Sequence, residues 1–183
     1  MNFCPQCGQA LQERIIDGQP RKCCPAEGCG FIAWNNPIPV IAVLVEYQGK
    51  VLLARNTAWN KGMFSVITGY LEAGETPEEC ALRELGEELG LSGRIVSTIG
   101  HYAFTQKNQL ILAFHVEAEG EIKLNEELAE FRLVPKEILK PWNLGTGLAV
   151  RDWLVSQGLS ADLYPFQTSS LKTLESDLSG EEQ

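Results

Sequence analysis

The sequence predicts an α+β fold preceded by a small cysteine-rich module, and three observations carry that expectation. Five of the six cysteines fall within the first 29 residues. Behind them come several short apolar runs bounded by turn residues, the pattern of strands. Between two groups of those runs, Thr76 to Gly90 carries the start and stop signals of one helix. At 183 residues the chain has room for one main domain and a small accessory. The expected division is 1–34 for the cysteine module, 35–165 for the main domain and 166–183 for an acidic, unpacked tail.

Composition narrows the function classes. Net charge is -9, which opposes a broad nucleic-acid surface and an anionic membrane. An acidic protein still binds a phosphate where a metal ion supplies positive charge. No apolar run approaches the ~20 residues of a membrane span, and Met1-Asn-Phe-Cys4 lacks the design of a secretion signal. The expectation is a cytoplasmic protein with no membrane partner.

In the first module, Cys4-Pro-Gln-Cys7-Gly and Cys24-Pro-Ala-Glu-Gly-Cys29-Gly are separated by sixteen residues. Each pair sets two thiolates on a tight turn, and four thiolates suit a closed tetrahedral Zn²⁺ site. So short a segment cannot bury enough apolar surface to fold alone, so the metal would supply its stability. Cys24 is preferred as a ligand because it repeats the Cys-Pro start of the first pair; Cys23 beside it is the alternative. Arg14, Arg21 and Lys22 are the module's only basic side chains, which favours a structural role over nucleic-acid binding.

Trp34-Asn-Asn-Pro37 reads as a linker. Val40–Val45 is an apolar run suited to a strand buried on both faces. Gln48-Gly49 turns the chain, and Val51–Arg55 returns as its partner. Arg55, at that strand's end, is a candidate for a substrate phosphate. After a polar loop, residues 63–67 are expected as the next strand, leading to Gly69.

The helix follows from local chemistry. Thr76 can N-cap it, Pro77 fits its first position, Glu79 completes a capping box and Gly90 tolerates a left-handed stop. Ala81, Leu82, Leu85 and Leu89 are expected on one side; Glu84, Glu87 and Glu88 gather on another. Like charges at that spacing repel unless a cation neutralises them, and a hard, oxygen-loving ion such as Mg²⁺ or Mn²⁺ would do so. Glu75 adds a further carboxylate, and Arg83 is placed to orient a glutamate through a charged hydrogen bond. Cys80 reads as a small packing residue.

Gly69, Glu75, Arg83, Glu84, Leu85, Glu87, Glu88, Gly90 and Leu91 match at every spacing the signature of the Nudix hydrolases, and the chain resembles that family. Seven of these positions demand one residue type, each used at roughly 6–7%, so chance supplies about one such start in 10⁸ and a merely solvated acidic face is set aside. The resemblance implies an α/β/α sandwich whose loop–helix–loop binds divalent metal. It also implies hydrolysis of a nucleoside diphosphate linked to another group, with Glu84, Glu87 and Glu88 as ligands.

Beyond the helix, Arg94–Ile99 and Leu110–Val116 read as strands, and Leu144–Val155 as a helix whose apolar stripe packs on the sheet. His101 and His115 belong to no visible triad. In the resembled family the region of Tyr102 and Phe104 lines the nucleotide pocket, so both are candidates to stack on a base. Members of that family often carry a further glutamate in this region, either a ligand to a second ion or the base; Glu127 is the choice here, with Glu126 and Glu130 as its neighbours. A zinc ribbon ahead of the signature resembles two groups of the family, NADH pyrophosphatases and hydrolases of FAD or ADP-ribose. The first group carries a Ser-Gln-Pro-Trp-Pro-Phe-Pro-type run where this chain has Gly100-His-Tyr-Ala-Phe-Thr-Gln106, a departure that favours FAD, ADP-ribose or a broad dinucleotide range. Frequent pairing in the family makes a homodimer an expectation. The competing readings are a non-catalytic nucleotide sensor, opposed by the complete glutamate set, and a zinc-ribbon nucleic-acid module, opposed by the charge.

Overall fold

The computed structural model describes residues 1–165; the expected tail, 166–183, lies outside the described residues. The chain divides into two compact units, Met1–Pro37 and Ile38 onward. The first is an antiparallel sheet of β1 (Gln12–Ile16), β2 (Gln19–Cys23) and β3 (Ile32–Ala33), in that order. Asp17 and Gly18 join β1 to β2 with φ of 50° and 75°. Two successive left-handed residues make the hairpin turn that matches the twist of its strands.

The second unit is built on a mixed sheet of six strands. They are β4 (Ile38–Tyr47), β5 (Lys50–Asn56), β6 (Ile67–Tyr70), β7 (Ser92–Phe104), β8 (Gln109–Glu119) and β9 (Leu128–Val134). The order is β7-β8-β4-β5-β9, and β6 also pairs with β4. Only β4 and β8 run parallel; the other pairs are antiparallel. Helix α1 (Pro77–Leu89) and helix α2 (Gly147–Ser156) cover opposite faces.

Side-chain alternation along the central strands sets those layers. Ala42 and Leu44 of β4, Val51 and Leu53 of β5, and Ile111 and Ala113 of β8 pack with Ala149, Val150, Trp153 and Leu154 of α2. Their neighbours Ile41, Val43, Val45, Leu52, Ala54, Phe114 and Val116 pack with Cys80, Ala81, Leu85 and Leu89 of α1. A strand buried on both faces therefore carries the continuous apolar run seen in β4. Leu85 and Leu89 are completely buried, each worth roughly 1.5–3 kcal/mol of apolar transfer. The result is an α/β/α sandwich.

Three details differ from the sequence expectations. In the stretch 63–66 only Ser65 makes a bridge, to Ala54, and β6 begins at Ile67. Phe64, Ser65 and Val66 are buried in a loop, which imitates a strand's apolar run. Leu82 faces outward at 38% exposure, and Cys80 takes its place in the core. Strand β7 continues through Tyr102 and Phe104, past register shifts at Ile95/Ser97 and Thr98/Gly100 that break its alternation. Among the described residues, no helix is long and apolar enough to cross a membrane.

Candidate active site

Helix α1 begins as its sequence dictates. Thr76 Oγ1 accepts from the Glu79 amide at 3.2 Å, and Glu79 Oε2 accepts from the Thr76 amide at 2.7 Å. At the other end Gly90 has φ 66° and donates its N–H to the Gly86 carbonyl. These caps fix the phase of the helix, and with it the direction of each glutamate.

Arg83 is the hub of the acidic group. Its Nε and Nη2 donate to both oxygens of Glu75 at 3.0 and 2.8 Å, and Nη1 donates to Glu84 at 2.7 Å and Glu87 at 3.0 Å. Nη2 also reaches the Tyr70 carbonyl of β6 at 3.2 Å. The Arg83 hydrogen bonds, helped by the Glu72 amide, hold the Glu75 carboxyl down at about 2. Beside it, burial pushes the Cys80 thiol up to about 12, so it packs as an inert group.

Glu88 has no such counter-ion. It is 9% exposed, and no hydrogen bond to its carboxylate is made among the described residues. Burial first, then the charges of Glu84, Glu127 and Glu87, push its carboxyl up to about 8. Burial also raises Glu84, against the pull of Arg83. Glu127 sits in the exposed turn before β9, tied by its carbonyl to the Thr57 amide at 2.7 Å, and its charge reaches both Glu84 and Glu88. A buried carboxylate beside three more acids is relieved by a divalent cation, so this oxygen-donor set fits Mg²⁺ or Mn²⁺. Gly69 makes room for it: a Cβ there would lie 2.0 Å from the Glu84 carboxyl carbon.

In the first unit the structure brings together Cys4, Cys7, Cys24 and Cys29, whose sulfurs all lie within 4.8 Å of one another. Cys4 and Cys29 Sγ are 3.6 Å apart, and Cys7 and Cys24 Sγ 3.4 Å. Tetrahedral Zn²⁺ with bonds of about 2.3 Å requires sulfur separations of about 3.8 Å, whereas a disulfide needs about 2.0 Å; the cluster fits the ion. Cys23 is buried outside it, with its sulfur toward the Arg21 carbonyl at 3.6 Å.

Gly69 also lines a cleft of about 400 Å³. Its walls include Trp59, Met63, Tyr70, Phe104, Trp142 and Leu144; Ser65 and Thr146 supply hydroxyls, and Lys107 a cation. Phe104 is thus a wall of the cleft, with the Lys107 ammonium 5.8 Å from its ring centre. Tyr102 lies elsewhere: its hydroxyl donates to Asp152 of α2 at 2.8 Å. Arg55 is held by Glu130 at 2.6 Å and by the Trp59 carbonyl at 3.2 Å. His115 is buried beside Glu46 and Trp153, and His101 is exposed. Sequence reasoning did not find Trp59, Lys107, Trp142, Ser65 or Thr146. They come from three separate connections, between β5 and β6, β7 and β8, and β9 and α2, and the one signal is the presence of tryptophans in otherwise polar connecting segments.

A family model described as NUDIX domain matches residues 35–152. The NAD-capped RNA hydrolase NudC of Pseudomonas putida is 30% identical over 172 residues, covering 90% of this chain and 59% of the relative. NudC of Pseudomonas aeruginosa is 35% identical over 133 residues, covering 70% and 45% respectively. The chain therefore spans about half the length of the curated relatives it matches. Among solved structures, a NUDIX hydrolase from Nitrosomonas europaea superposes with a TM-score of 0.71 at 26% identity, covering 90% of this chain and 97% of that one. An ADP-ribose pyrophosphatase from Streptococcus suis gives 0.56 at 16% identity, covering 69% and 100%, a likeness of fold alone.

Proposed function

The chain belongs to the Nudix hydrolase family, and from that premise we propose that it hydrolyses the pyrophosphate bond of a nucleoside diphosphate derivative. The substrate class is a dinucleotide or an ADP-ribose-type compound, with AMP as a product. One observation carries this reading: Glu84 lies against Gly69, the same glycine that lines the aromatic cleft. A ligand whose ring enters the cleft would then present its diphosphate to the acidic helix.

Glu84, Glu87 and Glu88 would hold Mg²⁺ or Mn²⁺, and Cys4, Cys7, Cys24 and Cys29 would hold a structural Zn²⁺. The divalent ion, when bound, neutralises charge on phosphate oxygens and acidifies a coordinated water. Arg83 keeps Glu84 and Glu87 oriented through its shared guanidinium, with Glu75 bracing the arginine from its other edge. Glu127, exposed and near Glu84 and Glu88, takes the proton of the attacking water. Phe104 stacks on the ring, and Lys107 at the cleft offers the cation that Arg55, paired with Glu130, does not. Tyr102 acts at one remove, tying β7 to α2 through Asp152. The rate then rests on positioning and electrostatics.

The NAD-capped RNA named for the NudC relatives is chemically a dinucleotide joined to RNA, so RNA enters as a substrate end and not as a ligand of the ribbon. The test is product analysis with Mg²⁺ or Mn²⁺ across FAD, ADP-ribose, NADH, NAD⁺, NAD-capped RNA and nucleoside triphosphates. The expected result is AMP, or 5′-monophosphate RNA, released from one diphosphate compound far faster than from the others. Tight binding of one compound with no turnover of any would replace hydrolysis by nucleotide sensing.

A further inference from the structure

We propose that Ser65 and Thr146 form a specificity-determining hydroxyl pair that reads the hydrogen-bonding edge of a planar ring held in the aromatic cleft. The inference deepens the hydrolase reading and rests on it for the placement of the diphosphate near Gly69. The two hydroxyls are 3.0 Å apart, although 81 residues separate them in the chain. Both line the cleft, at 6% and 9% exposure.

Each hydroxyl is held by backbone that has another task. Ser65 exchanges two backbone hydrogen bonds with Ala54 of β5, at 2.8 and 3.0 Å. The carbonyl of Thr146 accepts from the Ala149 and Val150 amides of α2, but its hydroxyl makes no capping bond to that helix. A threonine at a helix start ordinarily spends its hydroxyl on the cap; this one turns to Ser65. Two apolar side chains of the same shape would cost little at such a place, so the pair is not required for packing.

Its chemistry is specific. Two hydroxyls hold two protons, and their mutual bond uses one. No further hydrogen bond to either is made among the described residues. The pair therefore presents a donor and an acceptor side by side in a cleft that Trp59, Tyr70, Phe104 and Trp142 also line. The matching ligand is a flat ring whose edge carries an N–H donor next to a nitrogen or oxygen acceptor. The amino-pyrimidine edge of adenine and the carboxamide of nicotinamide share that chemistry. About 400 Å³ is at the lower end of small-molecule sites and suits one such ring system with its sugar.

The test is equilibrium binding of mononucleotides, which needs no hydrolysis, read by quenching of tryptophan fluorescence. The probes are AMP, nicotinamide mononucleotide and purine riboside 5′-monophosphate, which lacks the amino group. Thr146→Val should weaken the preferred probe about tenfold, the equivalent of one good hydrogen bond. Thr146→Ser should restore it, Ser65→Ala should weaken it likewise, and purine riboside monophosphate, which keeps the ring acceptor but not the N–H donor, should lose less on Thr146→Val than the preferred probe does. Preference for AMP assigns adenine to the cleft; preference for nicotinamide mononucleotide assigns the carboxamide ring. The proposal is overturned if folded Thr146→Val and Ser65→Ala bind every probe as wild type does, or if none of the probes binds. A protein that discriminates through the pair yet releases no AMP from any dinucleotide sinks the hydrolase reading alone.

Discussion

The cysteine module and the acidic helix each gather ionisable side chains suited to a metal, yet they do it in opposite ways. Four sulfurs lie within 4.8 Å of one another, drawn from two short loops that a three-stranded sheet holds in place. The helix glutamates meet an arginine instead: Arg83 engages Glu75, Glu84 and Glu87, while Glu88 is buried without a counter-ion. Among the described residues the cysteines are the one group of three or more such ligands to approach so closely. A site that closes on its own ligands suits structure, and one that leaves positions open suits substrate turnover. In one unit the fold gathers a full set of four donors; in the other it supplies Arg83 to three carboxylates and leaves Glu88 without a counter-ion.

The largest expected effect comes from breaking the closed side. Cys24→Ser should lose the zinc and unfold residues 1–37, because a structural zinc carries much of the folding free energy of so small a module. Limited proteolysis should cut within that unit while the thermal transition of the second unit persists. A protease-resistant first unit without zinc would remove the metal from the account. On the open side, Gly69→Ala places a methyl group 2.0 Å from the Glu84 carboxyl carbon and must displace it. Turnover should fall on the order of 10²-fold, as for other displacements of about 1 Å in a catalytic group. Its zinc content should not change.

Acid–base behaviour sharpens the same contrast within the helix region. With no divalent ion, Glu88 titrates at about 8 in the fold against an ordinary 4.5, so the folded state holds the extra proton between those values. Stability contributed in this way is lost as pH rises from about 4.5 to about 8. Glu75 has the opposite sign: held at about 2, its contribution is present above about 4.5 and lost as pH falls toward 2. Melting temperatures should therefore flatten between about pH 4.5 and 8 in Glu88→Gln and between about pH 2 and 4.5 in Glu75→Gln. Added Mg²⁺ should raise the melting temperature toward pH 8 in wild type and not in Glu88→Gln. The smallest effect is expected at the exposed pair Arg94–Glu117, where Arg94→Ala should shift stability by less than about 1 kcal/mol and leave both metal sites unaffected.

Legibility in the sequence followed the range of the interactions. The α1 caps at Thr76, Glu79 and Gly90 are contacts within a few residues, and their residue types announce them. The β4 and β5 hairpin is equally local. The buried loop through Phe64 was misread as a strand because an apolar run reports burial and not backbone pairing. The extension of β7 to Phe104 was missed because its two register shifts break the alternation that marks a strand. The cleft was hardest to read: Trp59, Ser65, Phe104, Trp142 and Thr146 meet only after β4, β5, β6 and α2 are assembled. The partners of Arg55 and Tyr102, Glu130 and Asp152, lie 75 and 50 residues away, beyond any local signal.

The central claim is that the helix glutamates hold a divalent ion independently of the cysteine module, with Glu88 as its buried ligand. Titration of Mn²⁺ into wild type and Glu88→Gln, followed by electron paramagnetic resonance and run beside zinc analysis and AMP release, tests it most directly. Glu88→Gln should bind Mn²⁺ at least about tenfold more weakly and lose most turnover, while its zinc content and fold are retained. A folded Glu88→Gln protein that binds Mn²⁺ and releases AMP as the wild type does would contradict it.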